Sequence, residues 1–300
     1  MPQLVRRPPQ QPPHDAVARL LVHVPRGQQH LRRPALPPRD RRGERVSAAQ
    51  PPLVSVVTGA AGGLGTAIVE QLLDRGDLVV AVDTSEGALD ALVQRTGFGP
   101  DRLLALEADV ASAADWQRVR EAAVAEFGAP TVLVNNAGIS PKHDGAKLLG
   151  VDIPLEEWNA VLDVNLTGPF LGIQELATGM AEAGFGRIVN MASLAARSGG
   201  LVAGVHYAAT KTGLLGVTRS FARELAPSGI TVNAVAPGRI DSGMAGMVSD
   251  QVNADYAARI PAGRLGTAED IARTVRFLSD RDAGFITGAT IDVNGGSHMQ

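Results

Sequence analysis

The chain has 300 residues, of which 45% are apolar and 20% charged, enough to build the core of one large domain or two small ones. It contains no cysteine, which excludes disulfides, thiolate catalysis and cysteine-ligated metals, and makes a reducing cytoplasm the expected location. The net charge of −3 hides a split, +7 over residues 1–50 and −10 over the remainder, and so acidic a body is a poor match for a nucleic-acid polyanion.

In chain order, the first 52 residues hold eleven of the nineteen prolines and ten arginines. Such a segment sustains neither a helix nor a central strand, so residues 1–50 are expected to be a disordered Pro/Arg-rich extension. An organelle leader, a basic arm and a dispensable extension are the open readings, the last including a start placed too early. No methionine lies between Met1 and Met180, so a later start would use a non-ATG codon, with Val46 and Val54 as candidates. From residue 51 to 300 short apolar runs alternate with helical patterns. Strands are expected at 53–58, 78–82, 103–106, 131–135, 187–192, 230–235 and 289–293. Helices are expected at 64–75, 113–127, within 155–183, and at 207–226 and 268–279. This alternation predicts a single doubly wound α/β domain with a mostly seven-stranded parallel sheet. Residues 238–262 are the least regular and are read as a candidate lid. No apolar run of about 18 residues occurs, so no membrane span is expected.

The chemistry-bearing residues follow the same order. TGAAGGLG (58–65) sits between the first strand and the first helix. There Gly59, Gly63 and Gly65, with Leu64 between them, let the backbone turn sharply and approach a pyrophosphate at a helix N-terminus. Asp83 ends the second strand, where a carboxylate accepts from both adenosine ribose hydroxyls and repels a 2′-phosphate. No Lys or Arg occupies 60–64 or 84–86, so NAD(H) is favoured over NADP(H). Asp109 and Val110 are placed to border the adenine. Asn135, Asn136, Ala137 and Gly138 follow the fourth strand, the amides to brace the sheet and the small residues to leave room for the cofactor. Tyr207 and Lys211 stand one helical turn apart, fourteen residues after Ser193. A nearby ammonium favours the phenolate, and a tyrosine so tuned exchanges a proton with an alcohol oxygen. The histidines (His14, His23, His30, His143, His206, His298) are scattered, and no metal site is expected.

These residues carry a likeness. From about Leu53 to Gly296 the chain resembles the short-chain dehydrogenases/reductases, in the branch that looks like the 3-oxoacyl-acyl-carrier-protein reductases. TGxxxGxG at 58–65, NNAG at 135–138, the Asn of DVNLTG at 165, Ser193, YxxxK at 207–211 and PG at 237–238 all stand in order. The resemblance implies a Rossmann-type NAD(P)-binding domain over 51–300. It makes Tyr207 the acid/base, Ser193 the donor to the substrate oxygen, and Asn165 the holder of a water in a proton relay. Lys211 would bind the nicotinamide ribose and lower the tyrosine pKa. Pro237, Gly238, Ile240 and Ser242 would line the nicotinamide. A homodimer or homotetramer is implied, assembled through the helices at 155–183 and 207–226. Two departures bear on substrate. The stretch PKHDGAKLLG lengthens the rim of the expected cleft, and the Ser193–Tyr207 spacing is one residue longer than usual. His143 and Lys142 on that rim, and His206 beside Tyr207, are candidate substrate contacts. The expected function is an NAD(H)-preferring oxidoreductase interconverting a secondary alcohol and a ketone. The alternatives are an NADPH-dependent 3-oxoacyl-thioester reductase and a dinucleotide-sensing protein without turnover.

Overall fold

The computed structural model describes residues 50–200, 202–241 and 250–299. The strands are β1 (Val54–Thr58), β2 (Leu78–Asp83), β3 (Leu103–Glu107), β4 (Val132–Asn135), β5 (Gly186–Met191), β6 (Ile230–Pro237), β7 (Ile240–Asp241), β8 (Gly266–Thr267) and β9 (Thr290–Val293). Seven of them form one parallel sheet in the order β3-β2-β1-β4-β5-β6-β9, while β7 and β8 pair separately. Between them run α1 (Gly63–Arg75), α2 (Glu86–Thr96), α3 (Ala113–Glu126), α4 (Leu155–Leu162), α5 (Gly168–Glu182), α6 (Ala195–Ser198), α7 (Val205–Leu225), α8 (Asp250–Ala257) and α9 (Ala268–Leu278).

The strands read as continuous apolar runs because both faces of the sheet are covered. On one face Val80, Val56, Leu133, Ile188 and Val232 lie in register across five strands, beneath Trp116 of α3 and Ile173 and Met180 of α5. One residue along, Ala81, Val57, Val134 and Val189 form the opposite row, under Ile68 and Leu72 of α1 and Ile271 and Val275 of α9. The order reverses between β1 and β4, and the crevice beyond their carboxyl ends is the topological switch point of the sheet.

The structure corrects the sequence reading in several places. The second helix, α2, was not expected, nor were the short α6 and α8, the last falling inside the stretch read as irregular. Residues 242–249 of that candidate lid lie outside the described residues, as do residues 1–49 of the extension. The helix expected from Tyr207 starts at Val205, with Gly204 as its N-cap. Residues 155–183 are two helices joined by a π-turn at Asp163–Thr167, where the Gly168 N–H reaches back five residues to the Asp163 carbonyl. Among the described residues no helix is long and apolar enough to cross a membrane, and no cluster of metal-ligating side chains occurs.

Candidate active site

The glycine loop and NNAG meet at the switch point. Asn136 donates from Nδ2 to the Thr58 and Gly59 carbonyls at 3.0 and 2.9 Å, and the Asn136 and Ala137 N–H groups both reach Thr58 Oγ1 at 3.0 Å. Gly59 needs to be glycine twice over. Its φ is +60°, and a Cβ there would sit 2.8 Å from Ala137 Cα. A Cβ on Gly65 would come within 2.0 Å of the Gly59 carbonyl, so α1 packs directly on the loop. Gly63 and Leu64 open α1 behind Gly62, its N-cap, which has no side chain to satisfy the first-turn N–H groups. Those free donors and the helix dipole suit a pyrophosphate.

At the end of β2, Asp83 accepts the Ala61 N–H at 3.0 Å on Oδ2 and the Thr84 N–H at 2.8 Å on Oδ1. Each oxygen keeps a lone pair for a further donor. No cation pairs with it among the described residues. Asp109 is exposed and accepts the Ala111 N–H, while Val110 is buried against Gly168 at the start of α5.

Four further side chains converge beside this loop. Tyr207, half-buried on the first turn of α7, has the hydroxyl of Ser193, which follows β5, beside its phenol. Burial pushes the Tyr207 phenol above its ordinary value, and the Ser193 hydroxyl pulls it back. The expected lowering by Lys211 is therefore not seen. The ammonium lies 5.5 Å from the centre of the tyrosine ring and donates to the Met191 carbonyl at 2.7 Å. Burial pushes Lys211 itself down to about 8. Asn165, at the centre of the π-turn, clamps Ile139: Oδ1 accepts its N–H at 2.8 Å and Nδ2 donates to its carbonyl at 2.9 Å. With Nδ2 also 3.3 Å from Thr210 Oγ1, both amide N–H groups of Asn165 are spent within the protein, and a relay water would have to be held by its carbonyl oxygens. Lys211 Nζ and Asn165 Oδ1 stand 3.2 and 3.3 Å from the point where a side chain on Gly138 would begin.

A cofactor fits this arrangement on the chemistry of its donors. The Lys211 ammonium carries three N–H groups and spends one on Met191, so two remain for sugar hydroxyls. Pro237 closes β6 and its carbonyl takes the Leu194 N–H at 2.8 Å, Gly238 N–H bonds the Val293 carbonyl at 2.9 Å, and Ile240 lies on β7. Ser242 lies outside the described residues.

Comparison with known proteins agrees with this geometry. A family profile described as Enoyl-(Acyl carrier protein) reductase matches residues 59–298. The chain belongs to the short-chain dehydrogenase/reductase family. It is 40% identical over 246 residues to the 3-oxoacyl-[acyl-carrier-protein] reductase of Escherichia coli, covering 82% of this chain and 97% of that one. The namesake from Staphylococcus aureus is 39% identical over 246 residues, 82% and 98% of the two chains. A crystal structure of a 3-oxoacyl-[acyl-carrier protein] reductase from Brucella melitensis superposes with a TM-score of 0.77 at 37% identity, over 83% of this chain and 92% of that one. Another from the same organism, with bound NAD, gives 0.74 at 36% identity, over 84% and 93%. As a member of this short-chain dehydrogenase/reductase branch, the chain is an oxidoreductase acting on CH–OH groups with NAD(P).

Sequence reasoning missed Glu157. His143 and His206 both bond its carboxylate, at 2.6 and 2.9 Å; His206 is buried there, while the His143 ring stays half exposed. Lys142 donates to the Val202 carbonyl and Lys147 to the Gly200 carbonyl. Burial, then the charges of Lys147 and Arg239, hold the Lys142 ammonium below its usual range.

Proposed function

We propose that this chain is an NAD(H)-preferring oxidoreductase that interconverts a secondary alcohol and a ketone, with Tyr207 as the acid/base. The observation that carries the reading is the Ser193 hydroxyl beside the Tyr207 phenol, next to a buried Lys211 whose Nζ stands 3.2 Å from where a side chain on Gly138 would begin. When bound, the nicotinamide supplies or accepts hydride. Tyr207 gives its phenolic proton to the oxygen that gains negative charge in reduction, or takes it back in oxidation. Ser193 donates to the same oxygen from a second direction, a fixed dipole where charge develops. Lys211 holds a ribose and keeps positive charge behind the phenol. Gly59, Gly63, Leu64 and Gly65 cradle the pyrophosphate, and Asp83 takes the adenosine ribose hydroxyls. Asp109 and Val110 flank the adenine, Asn136, Ala137 and Gly138 its approach, and Pro237, Gly238, Ile240 and Ser242 the nicotinamide.

The preference for NAD(H) rests on Asp83, whose lone pairs suit hydroxyls and oppose a phosphate. That a relative titled as a 3-oxoacyl-[acyl-carrier protein] reductase has NAD bound is in keeping with this. The relatives' names favour a second reading, a 3-oxoacyl thioester substrate reduced with NADPH. Titrating NADH and NADPH fluorescence, then screening ketones, alcohols and an acetoacetyl thioester with each cofactor, separates the two. Selective NADH binding with turnover of simple ketones supports the first. Selective NADPH binding with turnover of the thioester alone would replace it.

The reading places the protein in the cytoplasm as a homodimer or homotetramer. Residues 51–300 are its catalytic unit and residues 1–50 a dispensable extension, so a variant lacking 1–50 is expected to keep its kinetic constants.

A further inference from the structure

Glu157 lies outside every motif that marks the site, yet its carboxylate joins the rim stretch PKHDGAKLLG to the segment between Ser193 and Tyr207, the two places that the sequence reading singled out as longer than usual. It is the third residue of α4. Oε1 meets His206 Nε2 at 2.9 Å and Oε2 meets His143 Nε2 at 2.6 Å. The His206 ring is buried, and its Nδ1 accepts the backbone N–H of Tyr207 at 2.7 Å. An Nδ1 that accepts leaves the ring proton on Nε2, where it is donated to Glu157. One neutral tautomer satisfies both bonds, and the other breaks both. The ring is seated against Gly204, where a Cβ would lie 2.4 Å from Cε1.

The Tyr207 N–H belongs to the first turn of α7, whose donors have no partner within the helix. Gly204 offers no side chain to cap them. His206 therefore does what a Ser or Asp cap does elsewhere, and does so at the residue that carries the phenol. Glu157 sets the tautomer and orientation of that cap. The second carboxylate oxygen extends the link to His143 in the lengthened rim. The same rim crosses to the loop between Ser193 and Tyr207 through Lys142 on the Val202 carbonyl and Lys147 on the Gly200 carbonyl. The longer rim and the longer Ser–Tyr loop are thus sewn to each other, with Glu157 as the shared anchor.

We propose that Glu157 is a positioning residue: through His206 it sets the backbone at Tyr207, and through His143 it makes that setting depend on the rim segment 141–150. The inference rests on reading Tyr207 as the acid/base.

The chain has only two tyrosines, Tyr207 and Tyr256, so selective ¹⁵N-tyrosine labelling gives two amide signals, and a Tyr256→Phe background assigns them. Glu157→Ala is expected to shift or broaden the Tyr207 signal, and Glu157→Gln, which keeps an acceptor for His206, to restore it. His143→Ala, at an exposed site that tolerates truncation, is expected to shift it less, and not at all in a Glu157→Ala background. With the cofactor and ketone that the wild type turns over, kcat should fall about tenfold or more in Glu157→Ala while KM for the cofactor stays unchanged, the signature of misplacement near the chemistry. A Tyr207 signal unmoved by Glu157→Ala overturns the positioning role. One unmoved by His143→Ala overturns the link to the rim, and this variant decides the matter if Glu157→Ala fails to fold. Undiminished turnover in Tyr207→Phe would instead remove the acid/base reading, while the Tyr207 amide signal in the Glu157 and His143 variants still reports the clamp.

Discussion

Burial and charge oppose each other at Lys211. Its ammonium is buried behind Tyr207 and depressed to about 8, so the charged form is held at a cost to the fold. Because the folded value lies below the unfolded one, that cost is fully present below pH 8 and is relieved as pH rises toward the ordinary lysine value. At about 1.4 kcal/mol per unit, the ceiling is on the order of 3 kcal/mol. Lys211→Met is accordingly expected to lower turnover about 100-fold or more without lowering the urea midpoint at pH 7. A midpoint that drops with activity would make the lysine a structural residue. Asp83 gives a second test. Asp83→Ala frees the Ala61 and Thr84 N–H groups that it now holds and removes the charge opposing a phosphate. The ratio of NADPH to NADH affinity, read by fluorescence titration, should rise at least about tenfold. An unchanged ratio would sink the Asp83 argument. Glu157 shows where single-residue reading stops. In LEEW it looks like an acid at a helix start, and nothing in spacing says that two histidines, 14 residues before it and 49 after, share its carboxylate.

Helix α9 carries its own start signal. The Thr267 side chain accepts the Asp270 N–H at 3.2 Å, Asp270 accepts the Thr267 N–H at 2.9 Å, and Arg264 adds a bond at 2.7 Å. These bonds, the one to Arg264 foremost, hold the Asp270 carboxyl down at about 2. With its folded value depressed, Asp270 contributes above the usual carboxylate range and loses its contribution as pH falls toward 2. Asp270→Asn should cost about 1 kcal/mol in urea unfolding at pH 7, the scale of a lost cap. The deficit should persist at pH 5; a deficit that vanishes there would count against the cap. Such signals explain what the sequence revealed about elements. Every strand of the large sheet was legible to within two residues because the central ones are buried on both faces and mostly apolar, and the half-buried β3 and β9 at the edges still carry short apolar runs. Helix α2 was missed because only Leu89 and Leu92 of its eleven residues are buried, leaving a mostly polar surface helix. The start of α7 was placed two residues late because Gly204 provides no polar cap to read. The interruption before α5 was invisible because DVNLT contains neither Pro nor Gly.

At the scale of the whole molecule, α5 and α7 leave an outward groove lined by Phe170, Gln174, Val217, Ser220, Phe221 and Glu224. The Phe170 and Phe221 rings lie 6.1 Å apart, and Phe170 is 41% exposed. If the proposed homodimer or homotetramer forms through these two helices, the paired rings are its expected contact. Phe221→Asp is expected to move the sedimentation coefficient of the native protein toward that of a single chain. A wild-type protein already sedimenting as one chain would end the idea. The connection between α4 and α5 has a consequence of its own. Its π-turn holds one residue more than an ordinary helix would, and each residue advances a helix by about 100°. Removing any one residue from 163–167 would restore regular hydrogen bonding and swing α5 by that angle relative to α4. Ile173, Leu176 and Met180 would leave the sheet, or Asn165 would leave Ile139; the two could not both stay. The extra residue works as a phase shifter, letting a single stretch of chain hold one side chain against Ile139 and lay the next three turns on the core.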